Sequence, residues 1–132
     1  MYHGTSWKNA CDIERDGFEP SEDGMLGPGV YVARYEKAHK FACAFERHGG
    51  QTGGMIEVLI RFRYPKYVSY NDDDWQADGY DACRTDETSA STNMEWCVAS
   101  PSQARVLRIW QVDTYDESDV DDADEDELRE HE

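Results

Sequence analysis

Leu26-Gly-Pro-Gly-Val-Tyr-Val-Ala-Arg34 is the stretch around which the chain is organised. A turn built on Gly27, Pro28 and Gly29 feeds a short β-type run, Val30-Tyr31-Val32, and a helical pattern begins almost at once, at Glu36. A glycine turn followed by a strand with an aromatic centre can set a flat ring beside exposed backbone. That arrangement suits gripping a planar group, and it makes Tyr31 the first candidate site residue.

Downstream, Ala38, Phe41, Ala42 and Phe45 recur at i, i+3, i+4 and i+7, one face of an amphipathic helix closed by Gly49-Gly50. Arg34, Lys37, His39, Lys40, Arg47 and His48 lie on or beside that helix and form the most basic local cluster, a candidate for attracting a diphosphate. Upstream, Met1–Ser6 begins the fold as a short strand ending in Gly4, with Ser6 as N-cap of a helix over Trp7–Asp16 that Gly17 ends. Phe18 is expected to return the chain to a strand. Gly54–Arg63 alternates as a half-buried strand, with Ile56, Val58, Ile60 and Phe62 on one side. Lys66–Ser69 is expected to be a short strand and Asn71–Thr92 irregular. Met94–Val98 alternates again, with Glu95 and Cys97 opposite Met94, Trp96 and Val98, and Val106–Val112 is the last strand. Two helices and about six strands without a βαβ rhythm predict an α+β domain.

The 132 residues carry a net charge of −16 and a mean hydropathy of −0.87, unevenly distributed. Asp113–Glu132 contributes −11, leaving −5 for residues 1–112, so the expected organisation is a domain over 1–112 and a flexible acidic tail over 113–132. Such a balance disfavours a long nucleic acid as the main ligand. Cys11, Cys43, Cys83 and Cys97 form no close pair, which fits reduced thiols and gives no zinc-ligand spacing. No apolar run reaches membrane-spanning length and no cleavable signal precedes Met1, so the expectation is a cytoplasmic or nuclear protein without a membrane partner.

Three residues on separate segments stand out: His3, Tyr31 and Glu95. Their settings resemble the catalytic core of the PARP-type ADP-ribosyltransferases, the family with a His–Tyr–Glu signature. Tyr2-His-Gly-Thr5 is similar to that family's first strand, Gly27-Pro-Gly-Val-Tyr-Val-Ala33 to its G-x-G-[IV]-Y-F-[AS] segment, and Lys37-Ala-His-Lys-Phe41 to the K-S-x-x-Y that follows. Asn93-Met-Glu-Trp-Cys-Val98 with Gln103–Leu107 looks like the strand carrying its catalytic Glu. The resemblance spans residues 1–112 and is greatest to the small stand-alone PARP-like virus-induced proteins of fish. It implies a split antiparallel β-sheet core with two main helices, NAD as substrate and mono-ADP-ribosyl transfer to a macromolecular acceptor, a protein rather than a nucleic acid.

By the same resemblance, His3 would bond the adenosine ribose and Gly4 would hold the carboxamide through its backbone, with Thr5 and Ala33 completing the binding segments. Tyr31 and Phe41 would stack on the nicotinamide, and Glu95 would accept from the ribose 2′-hydroxyl. Ala38 stands where the family has a Ser, which removes a hydroxyl partner and implies weaker NAD affinity. Two other readings are an inactive NAD- or ADP-ribose-binding module and an RNA 2′-phosphotransferase-like enzyme, the latter disfavoured by the negative charge and by Glu95.

Overall fold

The computed structural model describes residues 1–22, 24–69, 71–85 and 94–112. The expected acidic tail lies outside them. β1 (Tyr2–Ser6) leads directly into α1 (Trp7–Asp16), where the Ser6 hydroxyl accepts from the Asn9 amide at 3.1 Å and caps the helix as its position predicts. β2 (Val30–Ala33) precedes α2 (Tyr35–Gly49), which buries Ala38, Phe41 and Ala42. β3 (Gly53–Ile60), β4 (Pro65–Val68), β5 (Ala82–Thr85), β6 (Glu95–Val98) and β7 (Ala104–Gln111) follow.

The described strands form one seven-stranded sheet in the order β4-β5-β6-β2-β1-β3-β7. The architecture is α+β. Two strand bounds move, β1 running on to Ser6 past the expected end at Gly4 and β3 stopping at Ile60 short of Phe62 and Arg63, and three further departures concern the elements themselves. The first is β5, which lies inside the stretch read as irregular and raises the strand count. The second is that β4 and β5 run parallel, so the sheet is mixed rather than wholly antiparallel. The third is Phe18, which starts no strand; it is buried in the core, and the nearby chain makes only an isolated bridge, Ser21 with Gly29.

Chain connectivity dictates the sheet's shape. β3 and β4 lie five strand positions apart, about 24 Å in a flat sheet at ~4.8 Å per strand. The four residues 61–64 that join them span at most about 18 Å. The sheet therefore curls, and one face becomes an interior. Ile56 and Val58 of β3 meet Ala82 of β5 and Trp96 and Val98 of β6 there, with Ala10 of α1 and Phe18 packed into the same cluster.

The opposite face is covered over β1 and β3 by α2. Register assigns the faces: Tyr31 pairs with Cys97, and Cys97 with Cys83; Ala33 pairs with Glu95, and Glu95 with Thr85. These residues share the α2 side. Val32, Trp96 and Arg84 share the other.

Candidate functional site

β1 is paired along its whole length with β3, from Tyr2 opposite Glu57 to Ser6 opposite Gly53. Its registered pairing with β2 is Tyr2 with Ala33 alone. Beyond that pair the two strands diverge, and a cavity of about 540 Å³ opens where they part. His3 and Thr5 of β1, Gly29, Val30 and Tyr31 of the turn and β2, Asn9, Asp12 and Asp16 of α1, and Phe45 of α2 line it. Its size falls within the range of about 300–1,000 Å³ typical of small-molecule sites.

His3 is fixed by its own backbone neighbourhood. Its Nδ1 lies 2.8 Å from the Tyr31 carbonyl oxygen, which only accepts, so Nδ1 carries the proton and donates. In the neutral ring Nε2 is then the accepting nitrogen. The imidazole meets the Phe18 ring edge-on at 5.4 Å. Asn9 Nδ2 donates to the Thr5 hydroxyl at 3.3 Å, tying α1 to β1 at the cavity wall.

Tyr31 and Glu95 are brought together, but on the sheet face opposite to His3. Tyr31 is not the exposed ring its turn suggests. Its ring is buried with Leu26, Trp75, Cys83 and Cys97. Its hydroxyl donates to the Gly27 carbonyl and accepts from the Leu26 amide at 2.9 Å, so the glycine turn wraps the phenol instead of presenting it. Burial pushes the phenol pKa far up, and nearby Cys97 and Glu95 push the same way.

Glu95 is 1% exposed, and its Oε2 lies 2.7 Å from Lys37 Nζ of α2. A carboxylate this deep is held charged only by such a partner. Ala33, its register partner, is buried.

Phe41 and Gly4 are packed at the contact of α2 with the sheet. Phe41 is wholly buried within the α2 interface and does not reach the cavity; Phe45, four residues on, does. At Gly4 an added Cβ would lie 1.8 Å from the Ala38 carbonyl oxygen, so this glycine lets α2 press backbone to backbone on β1. The basic cluster on α2 is not a continuous solvated face either. Lys37 is spent on Glu95, and His39 is buried, stacked on Tyr35 at 5.3 Å.

Sequence reading missed Asn9, Phe45 and the partnership of Lys37. Asn9 sits three residues after an N-cap, a signal of capping rather than of binding. Phe45 belongs to an apolar stripe that points to core. No run of sequence joins Lys37 to Glu95.

Among the described residues no group of three or more His, Cys, Asp or Glu side chains is placed to hold a metal ion, and no helix is long and apolar enough to cross a membrane. No family model matches the chain, and no curated protein matches it either.

Proposed function

We propose that the chain is an NAD-dependent mono-ADP-ribosyltransferase of the PARP type, which cleaves the nicotinamide–ribose bond and passes ADP-ribose to a macromolecular acceptor. The observation that carries this reading is the buried Glu95 carboxylate, 2.7 Å from Lys37 Nζ, beside the strand whose Tyr31 borders the cavity at the β1–β2 split. The ordered motifs around His3, Tyr31 and Glu95 support it independently. Breaking that glycosidic bond builds positive charge on the sugar, which a fixed carboxylate stabilises. One preorganised group of this kind typically supplies about 2.7–4 kcal/mol.

The cavity lining fits part of NAD better than the rest. His3, Thr5 and Asn9 offer partners for ribose hydroxyls, and Phe18 and Phe45 offer apolar wall for a base. Among the described residues no Lys or Arg lines the cavity, so a diphosphate has to find its cations outside that lining. Lys37 has to yield part of its hold on Glu95 when a ribose approaches.

A second reading, a module that binds NAD or ADP-ribose without turnover, is favoured by one feature: Glu95, the Tyr31 ring and Phe41 are all closed off from solvent. Incubation with NAD labelled in the adenylate part separates the two. Label on protein, lost in Glu95→Gln by about 10²–10³-fold, supports transfer. Saturable binding without nicotinamide release supports the module. Unchanged nicotinamide release by Glu95→Gln removes this carboxylate from the chemistry.

A further inference from the structure

The connector from β3 into β4 reads Arg61-Phe-Arg-Tyr-Pro-Lys-Tyr67: three cations interleaved with three aromatic rings and no acid, in a chain of net charge −16. Its backbone is pinned. The Asp81 carboxylate accepts from the Arg63 and Tyr64 amides at 2.8 and 2.9 Å, and Gln103 Nε2 donates to the Arg61 carbonyl at 3.0 Å. Its side chains face solvent. Phe62 is 39% exposed, Tyr64 66% and Tyr67 56%, and Arg61 and Arg63 are exposed as well.

The rings are arranged rather than scattered. Phe62 stacks on Trp96 with centroids 4.7 Å apart, and the Arg84 guanidinium lies over the Tyr67 ring at 4.4 Å and toward Trp96 at 5.7 Å. Burial against Trp96 accounts for Phe62, but packing accounts for neither the open Tyr64 ring nor the cations beside it. Lys66 is drawn aside to Asp72 at 2.8 Å, which leaves the arginines as the charge of the strip.

We propose that this strip binds a short single-stranded nucleic acid, with unstacked bases on Tyr67, Phe62 and Tyr64 and phosphates at Arg61 and Arg63. An acidic peptide would use the arginines and leave the rings without a planar partner; a proline-rich peptide would use the rings and leave the arginines without one. A single strand engages both at once, the pairing of charge and stacking by which sequence-tolerant strand binders work. The chain's own charge sets the length. A long polyanion or a duplex accumulates repulsion from the acidic remainder, whereas a few nucleotides at Arg61 and Arg63 meet two carboxylates already engaged, Asp81 by the Arg63 and Tyr64 amides and Asp72 by Lys66. Arg84 and Trp96 lie on the sheet face opposite to Glu95, so the strip stands whether or not the chain turns over NAD.

Fluorescence anisotropy of labelled eight-residue oligouridylate and oligothymidylate with the full chain at low salt tests this. Saturable binding is expected, weakened roughly tenfold or more by Tyr67→Ala. Arg63→Ala is expected to reduce the slope of log affinity against log salt by about 0.7. Tyr64→Ala is the variant least able to disturb folding, since its ring packs on nothing in the core, and it too is expected to weaken binding. Preference for one sugar identifies the strand as RNA or DNA. Absence of binding to both oligonucleotides, wild-type affinity in Tyr64→Ala and Tyr67→Ala alike, or equal competition by an oligoglutamate or oligoproline peptide overturns the proposal.

Discussion

At the scale of single residues, the Glu95–Lys37 pair decides most. Two charges taken from water cost several kcal/mol each and are tolerated only as partners, so removing one is worse than removing both. Glu95→Ala is expected to lower unfolding free energy by about 3–5 kcal/mol in urea titrations, and Glu95→Leu with Lys37→Met to recover most of that loss. A double variant no more stable than Glu95→Ala would mean that the ion pair is not what makes the single change costly. Buried acids elsewhere in this layer predict the alkaline limit of the fold. Burial, with the charge of Asp72 adding to it, pushes the Cys83 thiol from 9.0 to about 11, and burial pushes Cys97 and Tyr31 up in the same direction. The unfolded thiol ionises first, so the unfolded state loses protons before the folded state does. Stability is complete below about pH 9 and falls as pH rises toward 11, by up to about 1.4 kcal/mol per pH unit per group. Urea midpoints at pH 8, 9 and 10 check this, and Cys83→Ser is expected to flatten the decline. Strand alternation placed Glu95 correctly, because period two is a local property of Met94–Val98. Its partner was invisible, since a lysine one turn into a helix announces nothing about a strand nearly sixty residues away.

Among elements, the contact of α2 with β1 and β3 is built on missing side chains. A Cβ at Gly4 would meet the Ala38 carbonyl oxygen at 1.8 Å, and one at Gly53 the Ala42 carbonyl oxygen at 2.1 Å. Both obstacles are backbone, which cannot rotate away, so α2 would have to lift off the sheet. Gly4→Ala is therefore expected to abolish cooperative unfolding or to lower stability by more than about 3 kcal/mol, against about 1 kcal/mol for an average substitution. Near-ultraviolet circular dichroism and a urea titration read the outcome, and a wild-type profile would refute close backbone contact there. The same glycine thus has a packing role complete without any ligand. Both helices and the strongly alternating β3 and β6 were legible because their periodicity is written within one segment. β5 was not: Ala82-Cys-Arg-Thr85 is four residues long, sits among polar neighbours, and exists because β4 and β6 flank it. The parallel pairing of β4 with β5 belongs to the topology and leaves no mark on either strand.

For the molecule as a whole, the curl of the sheet has to be held closed, and two side chains do so. Asp81, just before β5, bonds the backbone of the β3–β4 connector at Arg63 and Tyr64, while its own amide donates to the Tyr64 carbonyl at 3.1 Å. Gln103, just before β7, donates through Nε2 to the carbonyls of Arg61 and Asp81 at 3.0 and 2.9 Å and accepts from the Ser100 amide at 2.9 Å. The far edges of a seven-stranded sheet are thereby stitched across the connector, and each residue bonds a segment the other also holds. Removing the Asp81 carboxylate forfeits two charge-assisted bonds, so Asp81→Ala is expected to cost about 2–3 kcal/mol and to raise amide exchange at Arg63 and Tyr64 before the rest of the sheet. Gln103→Ala is expected to cost somewhat less, because the carbonyls it donates to are neutral. If the two act as one clasp, the double variant loses less than the singles together, by about 0.5 kcal/mol or more, since breaking either side already frees the connector. Strict additivity in that cycle, with exchange at Arg63 unchanged in Gln103→Ala, would mean that connector length alone closes the sheet. The clasp also fixes the pose of Arg61 through Tyr64. Asp81→Ala is therefore expected to loosen the fold and the arginine–aromatic strip together while leaving the Glu95–Lys37 pair on the opposite face intact.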